Sequence, residues 1–320
     1  MNPPDSTGPR HPVRLVSERT GLTPHVLRVW ERRYRAVEPA RSPGGQRLYS
    51  DADIERLRLL NLATQAGRNI GQIAMLPNEQ LQDLIRADQQ PPRALTPATT
   101  PETEPLLAEA LEQTERLEGT GLEATLRRAI TSLGVHRGID LVVSPMLAEI
   151  GERWHSADLT PAHEHLAAAS VQRVLSGLLG DFAAGPADRP HLLVATPSRQ
   201  RHELGAMMVA VTAAVLGWRL TYLGTDLPVS DILHAARASR AEAVALSLIH
   251  PGDDMMLARE LVELERALPP TCHLFLGGAA AAAYTSVLNP RRVEALPDLA
   301  SLRLRLQELK ARGTHLGRVG

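Results

Sequence analysis

The spacing of apolar residues changes along the chain and separates a helical segment from an α/β segment. Over residues 106–182, apolar residues recur every three or four positions, which is the period of an amphipathic helix. From residue 191, helical stretches separate short apolar runs: HLLVAT (191–196), RLTYLG (219–224), AVALSLI (243–249) and HLFLGG (273–278). Strands that alternate with helices predict a parallel sheet with ligand sites at the carboxyl ends of its strands.

The helical segment carries two helix-start signals. Ser144-Pro145 predicts a helix with serine as its cap, and Thr160-Pro161 predicts another. One face of the first of these helices is apolar, with Met146, Leu147, Ile150 and Trp154. We expect a small antiparallel four-helix bundle.

The first eighty residues show a different pattern. A short helix from Leu15 to Thr20, a tight turn and a second helix capped by Thr23 and running to about Tyr34 predict a helix-turn-helix. The run RSPGGQRLYS (41–50) predicts a tight hairpin, and Ser50 with Asp53 matches a capping box that opens the next helix. This order is typical of a winged helix-turn-helix.

Two breaks give the predicted boundaries. Residues 86–105 are rich in proline and predict a linker, and residues 184–190 (AGPADRP) separate the bundle from the α/β segment. The predicted fold is therefore multidomain: a flexible tail (1–12), an all-α winged helix-turn-helix (13–85), the linker, a helix bundle (106–183) and a flavodoxin-like or Rossmann-like domain (190–320).

Composition narrows the class of protein. In 320 residues, 43% are hydrophobic and the net charge is −1, which is typical of globular proteins. There is no apolar run of membrane-spanning length and no secretory signal, so we expect a cytoplasmic protein without membrane contact. The lone Cys272 cannot form an internal disulfide and is interpreted as a small buried side chain.

Positive charge is concentrated near the predicted helix-turn-helix. Residues 10–58 hold eleven Arg and six acidic residues, a local net charge of +5. Since Arg donates two parallel hydrogen bonds to guanine edges or to phosphates, this region is predicted to bind double-stranded DNA. The candidate DNA contacts are Arg14, His25, Arg28, Arg32, Arg33, Tyr34, Arg41, Arg47 and Tyr49.

The run LVSERTGLTPHVLRVWERRY followed by RSPGGQRLYS resembles the signature of the MerR family nearly end to end. The resemblance implies a homodimer that binds palindromic operator DNA and distorts it. The residues alone indicate only a helix-turn-helix with a basic wing.

The loop after the first predicted strand reads TPSRQRHELGAMM. It resembles the D-x-H-x-x-G signature of cobalamin-binding domains, with Gln200, His202 and Gly205 at the three marked positions. The resemblance implies that His202 is the lower axial ligand of cobalt, for which a neutral imidazole nitrogen is suited. Gln200 departs from the usual acid, so cobalt ligation is expected to be weaker because an amide supplies no charge.

Glycines and small hydroxyls follow the other predicted strands and agree with a slot for the nucleotide tail of cobalamin. Each is a weak signal alone, and their common position at the strand ends gives them weight. The candidate residues are Gly224, Thr225, Asp226, Leu227, Ser247, Gly277 and Gly278.

In the helical segment, Trp154 is followed after nine residues by Glu164 and His165. This spacing resembles the W-x9-EH motif of light-sensing cobalamin regulators of the MerR type, the CarH and LitR group. The resemblance implies that these residues cover the upper face of the corrin, where the adenosyl group lies. It also implies that His155 ligates cobalt from above after photolysis.

The resemblance spans essentially the whole chain and implies a light-responsive repressor with adenosylcobalamin as its chromophore. A dark tetramer would hold operator DNA, and light-driven cleavage of the cobalt-carbon bond would release it, with carotenoid genes as usual targets. Multivalent DNA contacts would make such an assembly effective.

Alternatives remain. The α/β domain could serve a light-independent regulator as a dimerisation or partner-binding surface, which Gln200 favours, or another tetrapyrrole could occupy the site. An adenosylcobalamin mutase would need a substrate barrel, which this chain lacks, so we expect no enzymatic activity.

Overall fold

The computed structural model describes residues 11–42, 44–65, 68, 70–89, 102–182, 189–249 and 254–316. The chain divides into two compact units, Met1–Gln90 and Pro91–Gly320. Within the described residues, no helix is long and apolar enough to span a bilayer.

The first unit is a helical domain with a small antiparallel sheet in the order β1-β3-β2. Its core is apolar and includes Leu27, Trp30, Leu57 and Leu60. The elements are β1 (His11–Pro12), α1 (Val13–Thr20), α2 (Pro24–Tyr34), β2 (Ala40–Arg41), β3 (Arg47–Tyr49), α3 (Asp51–Gln65), α4 (Ile70–Ile73) and α5 (Asn78–Gln89).

Local signals set the helix boundaries in this unit. Gly21 ends α1 with φ +70°, a conformation that favours glycine. The Thr23 hydroxyl accepts a hydrogen bond from the Val26 N–H at 3.3 Å. Ser50 and Asp53 form the reciprocal bonds of a capping box, at 3.1 and 2.8 Å. The predicted helix-turn-helix, hairpin and capping box are confirmed.

The predicted tail and linker are both too long. His11 and Pro12 form β1, which pairs with β3, and α5 continues through Gln89. The first helix of the second unit begins at Glu104. Residues 1–10 and 90–101, on which the rest of these two predictions falls, lie outside the described residues.

The second unit begins with four helical segments around one apolar core. The third segment is continuous, because a π-helical turn (Ile139–Val143) joins α8 (Val135–Gly138) to α9 (Ser144–His155). Ser144 therefore caps no helix; its hydroxyl contacts the Met208 sulfur at 3.5 Å. The helices are α6 (Glu104–Glu115), α7 (Gly119–Leu133), α8 (Val135–Gly138), α9 (Ser144–His155) and α10 (Pro161–Phe182).

The α/β part contains a parallel sheet in the order β5-β4-β6-β7-β8, which is the flavodoxin-like arrangement. The order reverses between β4 and β6, where such sheets bind ligands. The sequence analysis missed β8 because it has three residues. The elements are β4 (His191–Ala195), α11 (Glu203–Val215), β5 (Arg219–Tyr222), α12 (Val229–Ser239), β6 (Ala243–Ser247), α13 (Met255–Ala267), β7 (His273–Gly277), α14 (Ala281–Tyr284), β8 (Val293–Ala295) and α15 (Leu299–Leu316).

Helix α11 belongs to two cores. Its Met207 and Val211 pack in the core of the bundle, whereas Ala206, Ala210 and Ala213 pack against the sheet. Bundle and sheet therefore share one helix as a wall, and the ends of β4 and β6 lie beside it.

Candidate DNA-binding and cofactor sites

Helix α2 carries a row of basic side chains on its exposed side. Arg33 lies over the ring of Tyr34, with 5.5 Å between the guanidinium carbon and the ring centroid. Tyr34 itself is half-buried. We call the exposed set the basic surface: Arg14 of α1, His25, Arg28, Arg32 and Arg33 of α2, and Arg41 of β2.

Arg47 connects the wing to α2. Its Nε donates to Glu31 Oε2 at 2.6 Å, and this bond raises the pKa of the guanidinium further.

The prediction that Tyr49 contacts DNA is corrected by the structure. Side chains alternate along a strand, and Tyr49 lies on the inner face of β3 with 0% of its surface exposed. It is a core residue and cannot contact DNA.

His202 lies in the loop between β4 and α11, directly before the first residue of that helix. The ring remains accessible to solvent, but the surrounding protein disfavours its charged form and lowers its pKa. The Glu164 carboxylate opposes this and raises the pKa, so the bundle and the loop face each other here. The resulting neutral imidazole is the form that binds a metal.

Gln200 is buried beneath the same loop. Its side-chain oxygen accepts a hydrogen bond from the Ile249 N–H at 2.8 Å. Its carbonyl accepts a bond from the Thr196 hydroxyl. The amide thus connects the loop after β4 to the end of β6.

The loop after β5, which contains Gly224, Thr225, Asp226 and Leu227, packs against the loop after β4. Asp226 Oδ1 accepts from the Arg199 N–H at 2.6 Å, and the Leu227 N–H donates to Thr196 O at 3.1 Å. Arg199 and Asp226 both have positive φ, at 69° and 60°. Two non-glycine residues in this conformation mark a loop that its neighbours hold in place.

A cavity of about 310 Å³, which we call the slot, opens between α11, α15 and the ends of β6 and β7. A Cβ at Gly205 would lie 3.0 Å from Ser247 Oγ, and one at Gly278 would lie 2.4 Å from Leu248 O. Side chains at these positions would fill the space or displace the backbone. The predicted residues Gly205, Ser247, Gly277 and Gly278 all line the slot.

The four predicted residues of the bundle, which we call the cap residues, lie at the junction of α9 and α10. Trp154 is half-buried against the bundle core and meets the His155 ring edge-on, with 5.1 Å between centroids. Glu164 Oε2 lies 3.2 Å from His165 Nδ1. The neighbouring His163 instead caps α10, since its Nδ1 accepts from the Thr160 N–H at 3.1 Å.

Models of known families match three parts of the chain. The model of the MerR HTH family regulatory protein matches residues 12–80. Two models of B12 binding domains match residues 102–178 and residues 190–291.

Two relatives match most of the chain. This chain is 31% identical to the HTH-type transcriptional repressor CarH of Myxococcus xanthus over 276 residues, which cover 86% of this chain and 91% of that protein. It is also 31% identical to the repressor CarA of the same organism, covering 81% of this chain and 83% of that protein. The chain belongs to the CarH family of MerR-type regulators. It is a DNA-binding transcriptional regulator that binds cobalamin. Both relatives are repressors, in agreement with the prediction of a protein that is not an enzyme.

A solved structure also shares the fold of the second unit. The monomethylamine corrinoid protein of Methanosarcina barkeri superposes with a TM-score of 0.52, covering 64% of this chain and 98% of that one. The sequence identity is 13%, so this likeness shows the fold alone.

The residues of the second unit fit cobalamin. The slot has Gly205, Gly277 and Gly278 in its lining, and an imidazole whose neutral form is favoured, a good donor to cobalt, lies in the loop that leads into α11. Within the described residues, no cluster of three His, Cys, Asp or Glu could hold a bare metal ion.

Sequence reasoning missed two polar connections between bundle and α/β part. Glu203, directly after His202, accepts hydrogen bonds from Gln172 of α10 and from the Tyr222 hydroxyl, both at 2.8 Å. Arg303 of α15 forms an ion pair with Asp140 of the π-helical turn. The second pair is 163 residues apart in the sequence, and no local signal predicts it.

Proposed function

We propose that this regulator is a light-responsive repressor that uses adenosylcobalamin as its chromophore. The observation that carries the proposal is the contact of α10, the helix of Glu164, with the residue that follows His202: Gln172 donates to Glu203 at 2.8 Å. The Glu164 carboxylate also raises the pKa of His202. Both support a single site that combines the W-x9-EH motif with the histidine of the D-x-H-x-x-G-like loop.

Each residue has a role in this proposal. His202 would hold cobalt through an imidazole nitrogen, and Gln200 holds the loop through Ile249. The slot, with Gly205, Ser247, Gly277 and Gly278, takes the nucleotide tail. The loop from Gly224 to Leu227 supports the loop of His202 from the side.

The cap residues give selectivity for the adenosyl form. Trp154 presents a flat aromatic surface, and Glu164 and His165 offer hydrogen bonds to a ribose and a base. Adenosylcobalamin supplies a cobalt-carbon bond that visible light breaks. His155, exposed at the end of α9, would bind cobalt after loss of the adenosyl group.

DNA release follows from assembly in this proposal. The basic surface of one chain makes few contacts, so a homodimer or a dark tetramer gains affinity by engaging several operator half-sites at once. Loss of the assembly in light would then release the operator. Carotenoid genes are the proposed targets.

The test is an absorption spectrum and a gel-filtration profile of the chain with adenosylcobalamin, before and after green light. We expect a retained corrin spectrum and a large dark assembly that dissociates on illumination. A bound corrin with no change in size would contradict the light mechanism. A chain that retains no corrin would contradict the cofactor assignment.

A Trp154→Ala variant sharpens this test. It should retain cobalamin through His202 but lose the dark assembly, because the adenosyl group loses its aromatic contact. His163→Ala is the matched control, since His163 serves only as a helix cap among the described contacts. A Trp154→Ala variant that assembles normally in the dark would rule out the proposed role of the cap residues.

Gln200 favours a second candidate, a light-independent regulator whose α/β part binds a partner, a second copy or another tetrapyrrole. Its described side-chain oxygen contact goes to Ile249, so this amide has a structural role that needs no cobalt. The same spectrum separates the two candidates, because this second regulator would keep one assembly state in dark and light.

A further inference from the structure

We propose that the ion pair between Asp140 and Arg303 fixes the width of the slot and thereby makes this chain selective for corrinoids that carry a nucleotide tail. The inference rests on the proposed placement of that tail in the slot. It gives the bundle a role in the slot, which the sequence analysis assigned to residues of the α/β part alone.

Besides the ends of β6 and β7, the slot has walls from the bundle, from α11 and from α15. Asp140 and Ser144 come from the bundle, Gly205 and Met208 come from α11, and Leu299 and Leu302 come from α15. The bundle therefore lines the cavity directly. Its position decides the width of the slot.

One ion pair connects the bundle wall to the α15 wall. Arg303 donates through both terminal nitrogens to the two oxygens of Asp140, at 3.2 and 2.6 Å. The side chains are 18% and 20% exposed. A bidentate pair with this little solvent contact fixes distance and angle, whereas an exposed pair would not.

The π-helical turn and its neighbour place Asp140 for this contact. A π-helical turn adds a residue to the helix and often occurs at functional sites. Gly138, just before it, packs so tightly on α7 that a Cβ there would lie 2.9 Å from the Ile130 Cα. Asp140 is thus held from one side by backbone packing and from the other by Arg303.

His136 lies beside the pair on α8. Burial is the main cause that lowers its pKa, the charge of Arg303 lowers it further, and the charge of Asp140 opposes both. The lowered pKa favours the neutral imidazole, so the described charge that pairs with Asp140 is the guanidinium of Arg303.

The experiment compares two ligands, hydroxocobalamin and cobinamide, which has the corrin ring but no nucleotide tail. In an Arg303→Gln variant, we expect the Kd for hydroxocobalamin to rise at least tenfold while the Kd for cobinamide changes less than twofold. Arg303 does not line the slot, so the loss would reflect slot geometry. Arg303→Lys, which keeps the charge but not the bidentate geometry, should restore part of the selectivity.

Arg305→Gln is the matched control. Arg305, on the same helix as Arg303, forms a comparable bidentate pair with Glu294 of β8, and neither Arg305 nor Glu294 lines the slot. Its ligand selectivity should equal that of the wild type, and thermal unfolding would show both variants folded.

Hydrogen exchange supplies a second readout. Hydroxocobalamin should slow exchange over residues 139–143, and cobinamide should not. If Arg303→Gln weakened the binding of both ligands equally, or of neither, the inference would be overturned. The cofactor assignment would stand in that case, provided that the wild type binds hydroxocobalamin. A wild type that binds neither corrinoid would overturn both.

Discussion

The basic surface and the slot are built in opposite ways. The basic surface consists of long exposed side chains on α2 and the neighbouring elements, and the packing beneath them does not depend on their chemistry. The slot lies between packed, mainly apolar side chains, and glycines at its wall leave part of its space free: an added Cβ at Gly205 or Gly278 would meet neighbouring atoms. The first site can change without loss of the fold, whereas the second is part of the fold.

This difference has a consequence for how each site changes in evolution or in the laboratory. Operator preference can shift through single substitutions on α2 that leave the free energy of unfolding nearly unchanged. Ligand preference in the slot requires a backbone that accepts a new side chain. The following predictions test this contrast, from the largest expected effect to the smallest.

A Gly278→Val substitution should damage both fold and cofactor retention. Its Cβ would meet the Leu248 carbonyl at 2.4 Å, and φ at this position is +91°. We expect the free energy of unfolding to fall by about 3 kcal/mol, from backbone strain and overpacking. Chemical denaturation checks this. Gly151→Ala is the control: nothing lies within 4 Å of the new Cβ, and stability should rise slightly.

His202→Ala tests an exposed side chain of the cofactor site, the proposed cobalt ligand. Cobalamin affinity should fall on the order of 100-fold, since even indirect changes at metal ligands cost 10- to 100-fold. The free energy of unfolding should not change, because the ring is accessible to solvent. Spectra after gel filtration measure retention. Unchanged cofactor content would exclude the ligand role.

Replacing Arg28 and Arg33 together by Ala should weaken operator binding by at least about tenfold and leave thermal unfolding unchanged. Both guanidinium groups lie on the exposed side of α2. Titrations at several salt concentrations separate the roles, because each lost phosphate contact reduces the salt slope by about 0.9. A full wild-type slope with full affinity would show that DNA lies elsewhere.

Tyr49→Phe should have the smallest effect, although the sequence placed Tyr49 at the DNA. The side chain is buried, and its hydroxyl has no hydrogen-bond partner within the described part of the chain. Removing an unpaired buried hydroxyl should be neutral or stabilise by up to about 1 kcal/mol. Fluorescence anisotropy with operator DNA should show no change, and a clear loss would place Tyr49 at the DNA after all.

Local signals predicted most of the fold. Caps and glycines defined α1, α2 and α3, and the apolar runs located four of the five strands of the large sheet. The three residues of β8 were too few to form a run. Ser144-Pro145 has the chemistry of a helix start, but the preceding π-helical turn continues the helix through it.

The sites were less predictable where they depend on orientation or on distance along the chain. Resemblance to known motifs predicted roles for His202 and Trp154, and the position of glycines after predicted strands pointed to residues that line the slot. Neither could tell that Tyr49 faces inward, because a three-residue strand does not reveal which face is buried. The contact of Asp140 with Arg303 arises only when bundle and sheet pack on α11.

The shared helix α11 also decides how the protein can be dissected. A fragment of the α/β part without the bundle would uncover Met207 and Val211 and would be prone to aggregate. A fragment of the bundle without the sheet would lose that same apolar lining. The chain should therefore yield two recombinant pieces, cut between residues 90 and 101, and in denaturation experiments the larger piece should melt in a single transition.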